Sequence, residues 1–198
     1  MHRTRKEGGL VSRHGIGRAG DDFVSHMEPI PESTAIKPEF IKALLAEDEV
    51  GCVIRSHLYV EAQIDSFLEL VVVDSKFLEN LDLSYAKKID LACCLGFDAQ
   101  FRGALKRIGK LRNDFAHDLS STLTQQVVSD LFNALPEFGR QAVHISVGLL
   151  HELCKVSNQP SRYDQLPPKM QFVLIALNLE RICCAACDLL RKAKNEHG

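Results

Sequence analysis

Phe101, Leu105, Ile108, Leu111 and Phe115 follow one another in steps of four, three, three and four. An α-helix of about 3.6 residues per turn gathers these five side chains into one stripe, whereas a strand scatters them over both faces. Asp98 stands where an N-cap is wanted, so the spacing predicts a helix over 98–117. A helix with one apolar stripe is unstable alone and must lay that stripe against other helices or a sheet.

The rest of the chain supplies helices. A short amphipathic segment follows Pro38 to about Ala46, and Val53, Val60, Ile64, Phe67, Leu68 and Val71 recur at helical spacing from Val50 to near Val73. Ser84 is the expected N-cap of a third helix through Tyr85, Ile89 and Ala92, with Gly96 at the left-handed position that ends it. Thr122 with Gln125 reads as a capping box opening a helix through Val127, Val128 and Leu131 until Pro136. Residues 142–156 fit a helix or, from alternating Val143, Ile145 and Val147, a strand; His151-Glu152-Leu153-Cys154-Lys155 favours the helix. Asn158 to Pro168 is turn-forming, and Pro167 or Pro168 opens a last helix through Met170, Val173, Leu177, Ile182 and Leu189. The expected architecture is therefore all-α: an antiparallel helical bundle over 36–198 with an insertion at about 136–165, preceded by a flexible basic tail over 1–35. That tail carries Arg3, Arg5, Lys6, Arg13 and Arg18 against Glu7 and shows no repeating apolar face.

Composition narrows the partners. A formal charge of −2 gives no general attraction to polyanions, so any such site must be local. The longest apolar stretch, Phe172 to Leu177, falls far short of the roughly 20 residues of a membrane helix, and no secretory core follows the N-terminal arginines. No membrane partner is expected. The adjacent pairs Cys93-Cys94 and Cys183-Cys184 are poorly placed for disulfides, which points to reduced thiols in the cytoplasm. Cys184 and Cys187 have the spacing of a metal or redox pair, as His57 and Glu61 have of two ligands, but neither set is completed nearby. No metal and no cofactor is expected; helix packing accounts for both pairs.

Chemistry concentrates in Arg112-Asn113-Asp114-Phe115-Ala116-His117. On an ideal helix Lys106, Lys110, Asn113 and His117 share a narrow sector opposite the apolar stripe. Such a strip suits a phosphodiester: the lysines bring charge, Asn113 a neutral hydrogen bond, and His117 a group that moves protons near neutral pH. Arg112 falls beside Leu105 and Ile108, where its guanidinium needs an acid or a protein contact, and Glu61, Asp65 and Glu69 are the candidate acids. Arg112 and His117 lie about 140° apart on the wheel, so one straight helix does not bring them to one point. The plain alternative is an arginine ion-paired inside a bundle and a histidine at a helix C-terminus, where the macrodipole favours its cation.

The Arg–polar–His pattern of this stretch resembles the HEPN superfamily of helical bundles. The likeness is closer to the mannitol operon repressor family, through SHLYVEAQIDSFLELVV, KKIDLACCLGF and the helix into RNDFAHD, across roughly residues 40–135. The resemblance implies a homodimer acting in control of gene expression through contacts with RNA, DNA or a regulatory protein. In active HEPN proteins, two protomers join their Arg and His residues in one cleft that cleaves RNA without metal. For this chain that implies His117 as base or acid, Arg112 stabilising charge on the phosphate oxygens, and Asn113 orienting the phosphate. A scaffolding role, as the neutralised subunit of a toxin pair, is a third reading. No helix-turn-helix is legible.

Overall fold

The computed structural model describes residues 38–118, 120–154 and 160–196; the expected basic tail and Lys155 to Val156 lie outside them. Seven α-helices and no strand occur among the described residues. Helix α1, Pro38–Ala46, starts on a proline, whose missing N–H would have no helical partner there anyway. Helix α2, Glu49–Val71, begins one residue before the expected Val50, because the Asp48 carboxylate accepts from the Gly51 N–H at 2.7 Å. Helix α3, Tyr85–Cys94, has Ser84 at its N-cap without a side-chain cap bond, and Gly96 follows at φ 106°, the left-handed conformation expected of it. Asp98 accepts from the Gln100 N–H and opens a 3-10 turn, Ala99–Phe101, that runs into α4, Arg102–His117.

Helix α5, Gln125–Asn133, corrects the expected capping box: Thr124, not Thr122, is the N-cap and accepts from the Val127 N–H. The reason lies outside the segment. The Glu49 carboxylate of α2 takes the Leu123 N–H at 2.7 Å and Leu123 is buried, so the backbone is held out of helix until after that residue. The region open to helix or strand is helix α6, Glu137–Cys154. Its Val143, Val147 and Leu150 are buried in the common core, so part of the expected insertion belongs to the packing. Helix α7, Pro168–Glu196, closes the fold.

Every residue from Gln171 to Leu179 is buried, which marks the first turns of α7 as the centre of the molecule. Helices α1, α2, α5 and α6 all pack on α7, while α2 also carries α3 and α4. The two polar residues in the buried run are satisfied. Gln171 reaches Gln125 at 2.9 Å and the Leu166 carbonyl at 2.8 Å; Asn178 donates to Ser146 Oγ at 3.0 Å and the Leu174 carbonyl at 2.8 Å. Both chain senses occur. Lys169 donates to the Leu45 and Glu47 carbonyls at one end and Cys187 lies 3.6 Å from the Gln63 carbonyl at the other, so α7 runs alongside α2 in the same direction. Helix α4 runs against α2, with Leu123 beyond its end on Glu49 and Phe97 before its start on Phe67 at 5.3 Å. No described helix is long and apolar enough to cross a membrane.

One close approach sets the α3–α4 distance. A Cβ on Gly109 would lie 2.5 Å from Tyr85 Cδ1, so only glycine leaves room for the tyrosine ring. Gly109→Ala should destabilise by about 1–2 kcal/mol, overpacking outweighing the gain in helix propensity. Gly103→Ala on the same helix, with its nearest neighbour at 3.8 Å, should instead stabilise by up to about 1 kcal/mol. Chemical denaturation of the two variants checks this pair, and equal shifts in both would contradict the packing argument.

Candidate functional site

Helix α4 buries Leu105, Ile108 and Phe115 and turns its charged residues outward. The charges there are largely answered. Lys106 Nζ and Arg102 Nε each lie 2.7 Å from an oxygen of Asp90 on α3; Lys110 Nζ is 2.7 Å from Asp114, and Arg107 is 3.9 Å from Asp130 on α5. Both lysines of the expected basic strip are thus ion-paired, Lys106 with Asp90 and Lys110 with Asp114.

Arg112 is the exception among the five lysines and arginines of α4. It is half-buried, its Nη1 donates to Asn113 Oδ1 at 2.9 Å, and it has no carboxylate partner among the described residues. The acids expected for it are engaged elsewhere. Lys88 of α3 sits 3.0 Å from Glu61 and 2.9 Å from Asp65, while Glu69 is exposed one turn further on. Burial works against the Lys88 charge, yet the hydrogen bonds it donates to Asp65 and Glu61 outweigh this and raise its pKa. Lys88 wins because α3 lies along α2 in the same direction, bringing its ammonium between carboxylates one turn apart on α2.

The charge of Arg112 is felt by the residue of α2 that the sequence spacing pairs with Glu61. His57 is 3% exposed, its ring tilted against Tyr85 with centroids 4.3 Å apart. Its Nδ1 is 3.6 Å from Glu61 Oε2, too long for a hydrogen bond, and is buried without a partner. Burial pushes the His57 pKa down; Glu61 opposes this, and the positive charges of Arg112 and Lys88 push it further down. The imidazole is therefore held neutral. The Tyr85 hydroxyl donates to the Leu105 carbonyl at 3.2 Å, tying α3 to α4 beside it, and burial keeps that phenol protonated. The one sequence signal for this junction was Gly109 in mid-helix, a position that weakens a helix unless another group comes close.

Asn113 and His117 are exposed, His117 as the last residue of α4 before its C-cap Asp118. The side chain of Asn113 is joined to Arg112, and no bond connects His117 to either among the described residues. In one chain, then, Arg112 and Asn113 form a unit, and His117 shares the face of Asn113 but stands about 140° from Arg112 on the helix. No group of three His, Cys, Asp or Glu residues able to hold a metal occurs among the described residues. Cys184 Sγ lies 3.1 Å from Glu180, and Cys187 reaches the Gln63 carbonyl, so the two sulfurs have different partners. Burial raises the Cys187 pKa to about 11, which keeps the thiol protonated at neutral pH.

Compared with protein-family models, curated proteins and solved structures, the chain matches none.

The buried imidazole makes stability depend on pH. Its folded pKa lies below the ordinary 6.5, so as pH falls the unfolded chain takes the proton first. Stability is complete above that value and is lost as pH descends toward the folded one. Denaturation midpoints between about pH 7 and pH 5 should fall for the native chain and stay nearly level for His57→Phe; parallel curves would refute the assignment. Arg112→Ala should cost no more than about 1 kcal/mol, since no buried ion pair is broken, and should shrink the acid loss by removing a positive neighbour of His57.

Proposed function

We propose that this chain is a regulatory protein of the mannitol operon repressor type, acting in the cytoplasm as a homodimer and controlling gene expression by gripping a nucleic-acid backbone at Arg112. The observation that carries the reading is the guanidinium without a carboxylate: among the described residues, four of the five lysine and arginine side chains on α4 are paired with acids and Arg112 is not. A guanidinium presents a planar fork of donors that matches two phosphate oxygens, and Asn113, bonded to it, adds a neutral donor beside the fork. The net charge of −2 supports recognition by such a local group rather than by a general field. Lys106 and Lys110 act from behind their ion pairs and contribute little to affinity.

Binding of labelled RNA and DNA at several salt concentrations tests this. Arg112→Ala should weaken binding by tenfold or more and lower the salt slope by about one, whereas Lys110→Ala should change affinity less than threefold. Equal affinities for the native chain and Arg112→Ala would sink the proposal.

A second reading, a metal-independent ribonuclease of the HEPN kind, is favoured by one further observation: His117 stands exposed at the end of α4, open to a ribose hydroxyl. In that reaction His117 of one copy takes the proton of the 2′-hydroxyl, whose oxygen attacks phosphorus. Arg112 stabilises the phosphate oxygens, and the 5′-oxygen leaves with a proton from the second imidazole of the dimer. Cleavage of mixed RNA in the presence of a chelator should then be lost in His117→Ala; equal cleavage by both proteins would exclude the reading.

A further inference from the structure

The connection between α2 and α3 breaks the usual rule for apolar side chains. Val73 is fully exposed, Phe77 is 66% exposed and Leu81 is 55% exposed, so three large hydrophobic residues at steps of four stand in water within nine residues. Scattered singles would need no explanation, but a run of this kind is costly for a surface that nothing covers. The segment also has defined form. Two 3-10 turns, Ser75–Phe77 and Glu79–Leu81, follow one another, Asp74 caps the first through the Lys76 N–H at 3.1 Å, and half-buried Leu78 packs against the core.

Beside this run lies a hollow of about 320 Å³. Leu68, Leu78 and Leu83 give it apolar lining, and Asp65, Glu69, Glu79 and Asp82 line it with carboxylates. Its one cation, Lys88, is engaged by Glu61 and Asp65. From residue 73 to 83 the charged residues are Asp74, Glu79 and Asp82 against the exposed Lys76, so the apolar run is flanked by mostly negative charge.

We propose that this surface docks a basic amphipathic helix of a different protein, whose apolar face covers Val73, Phe77 and Leu81 while its lysines or arginines meet Glu69, Glu79 and Asp82. Charge complementarity selects that occupant. A second copy meeting the same patch across a two-fold axis would set carboxylates against carboxylates. The exposed basic residues Lys192 and Lys194 near the end of α7 would engage it only head to tail, a contact that builds rings or filaments and not a two-fold dimer. A basic helix from another chain satisfies both halves of the surface. The site lies on the α2–α3 connection and does not use Arg112, so it stands or falls apart from the nucleic-acid reading.

The test uses a fluorescently labelled peptide of about 18 residues, leucines at helical spacing on one face and lysines on the other, titrated into the full chain and followed by anisotropy. Two controls accompany it: the same peptide with glutamate for lysine, and one with the leucines and lysines shuffled out of register. The native chain should bind the first peptide at least tenfold more tightly than either control. The pairs Phe77→Ser with Leu81→Ser, and Glu69→Lys with Glu79→Lys, should each weaken binding at least tenfold with unchanged far-UV circular dichroism. These residues are exposed, so the variants should fold. Loss of binding only on charge reversal would reduce the surface to simple ionic adsorption and overturn the proposal, as would equal binding of the shuffled peptide. Concentration-dependent self-association of the native chain that disappears in the Phe77→Ser, Leu81→Ser variant would assign the surface to a second copy instead, and overturn it as well.

Discussion

The buried run from Gln171 to Leu179 is the constraint on which the other helices depend, because a helix apolar on every side must be surrounded on every side. Helices α1, α2, α5 and α6 supply that surround, and each needs only one apolar face to do so. The arrangement explains why the two polar residues of the run, Gln171 and Asn178, are spent on internal hydrogen bonds to neighbouring segments: a donor left unmade there has no water to turn to.

A second layer is built on the far side of α2, where α3 and α4 meet it through a polar junction instead of a purely apolar seam. Tyr85 lies over Gly109, donates to the Leu105 carbonyl and meets His57 at a tilt, so one ring links all three helices. The junction has an electrostatic consequence. Lys88 takes Glu61 and Asp65 of α2, and Arg112 is left half-buried, its charge felt by a neutral imidazole, with a neutral amide as its side-chain partner among the described residues. The same choice that secures α3 to α2 therefore leaves a guanidinium on α4 able to accept an anion from outside.

This arrangement reconciles an acidic net charge with a polyanion-binding proposal. Ion pairing removes most of the positive field that α4 carries in sequence, so attraction is confined to one fork of donors and its specificity comes from geometry. At the other end of α2 the sign is reversed. Carboxylates beside exposed Phe77 and Leu81 form a surface of opposite preference, and the two ends of the α2–α3–α4 layer are chemically distinct.

Much of the fold could be read before any coordinates. The stripe from Phe101 to Phe115 is inward-facing, with only Leu111 partly exposed; Gly96 adopts the left-handed turn and Pro168 opens the last helix. Such features depend on residues within a turn or two of one another, and the α-helix repeats that neighbourhood faithfully. Features that failed to show were decided by residues far apart in the chain. The start of α5 shifted because Glu49 captured the Leu123 N–H from 74 positions away; the helix favoured over a strand for 142–156, by contrast, is present as far as Cys154 and packs on α7. For the candidate site, the sequence by itself determined which residues α4 turns outward: Lys106, Lys110, Asn113 and His117. Only the tertiary structure decided which charges remain available, because Asp90, Glu61 and Asp65 each choose a partner by distances of 2.7–3.0 Å that exist only once α2, α3 and α4 are packed.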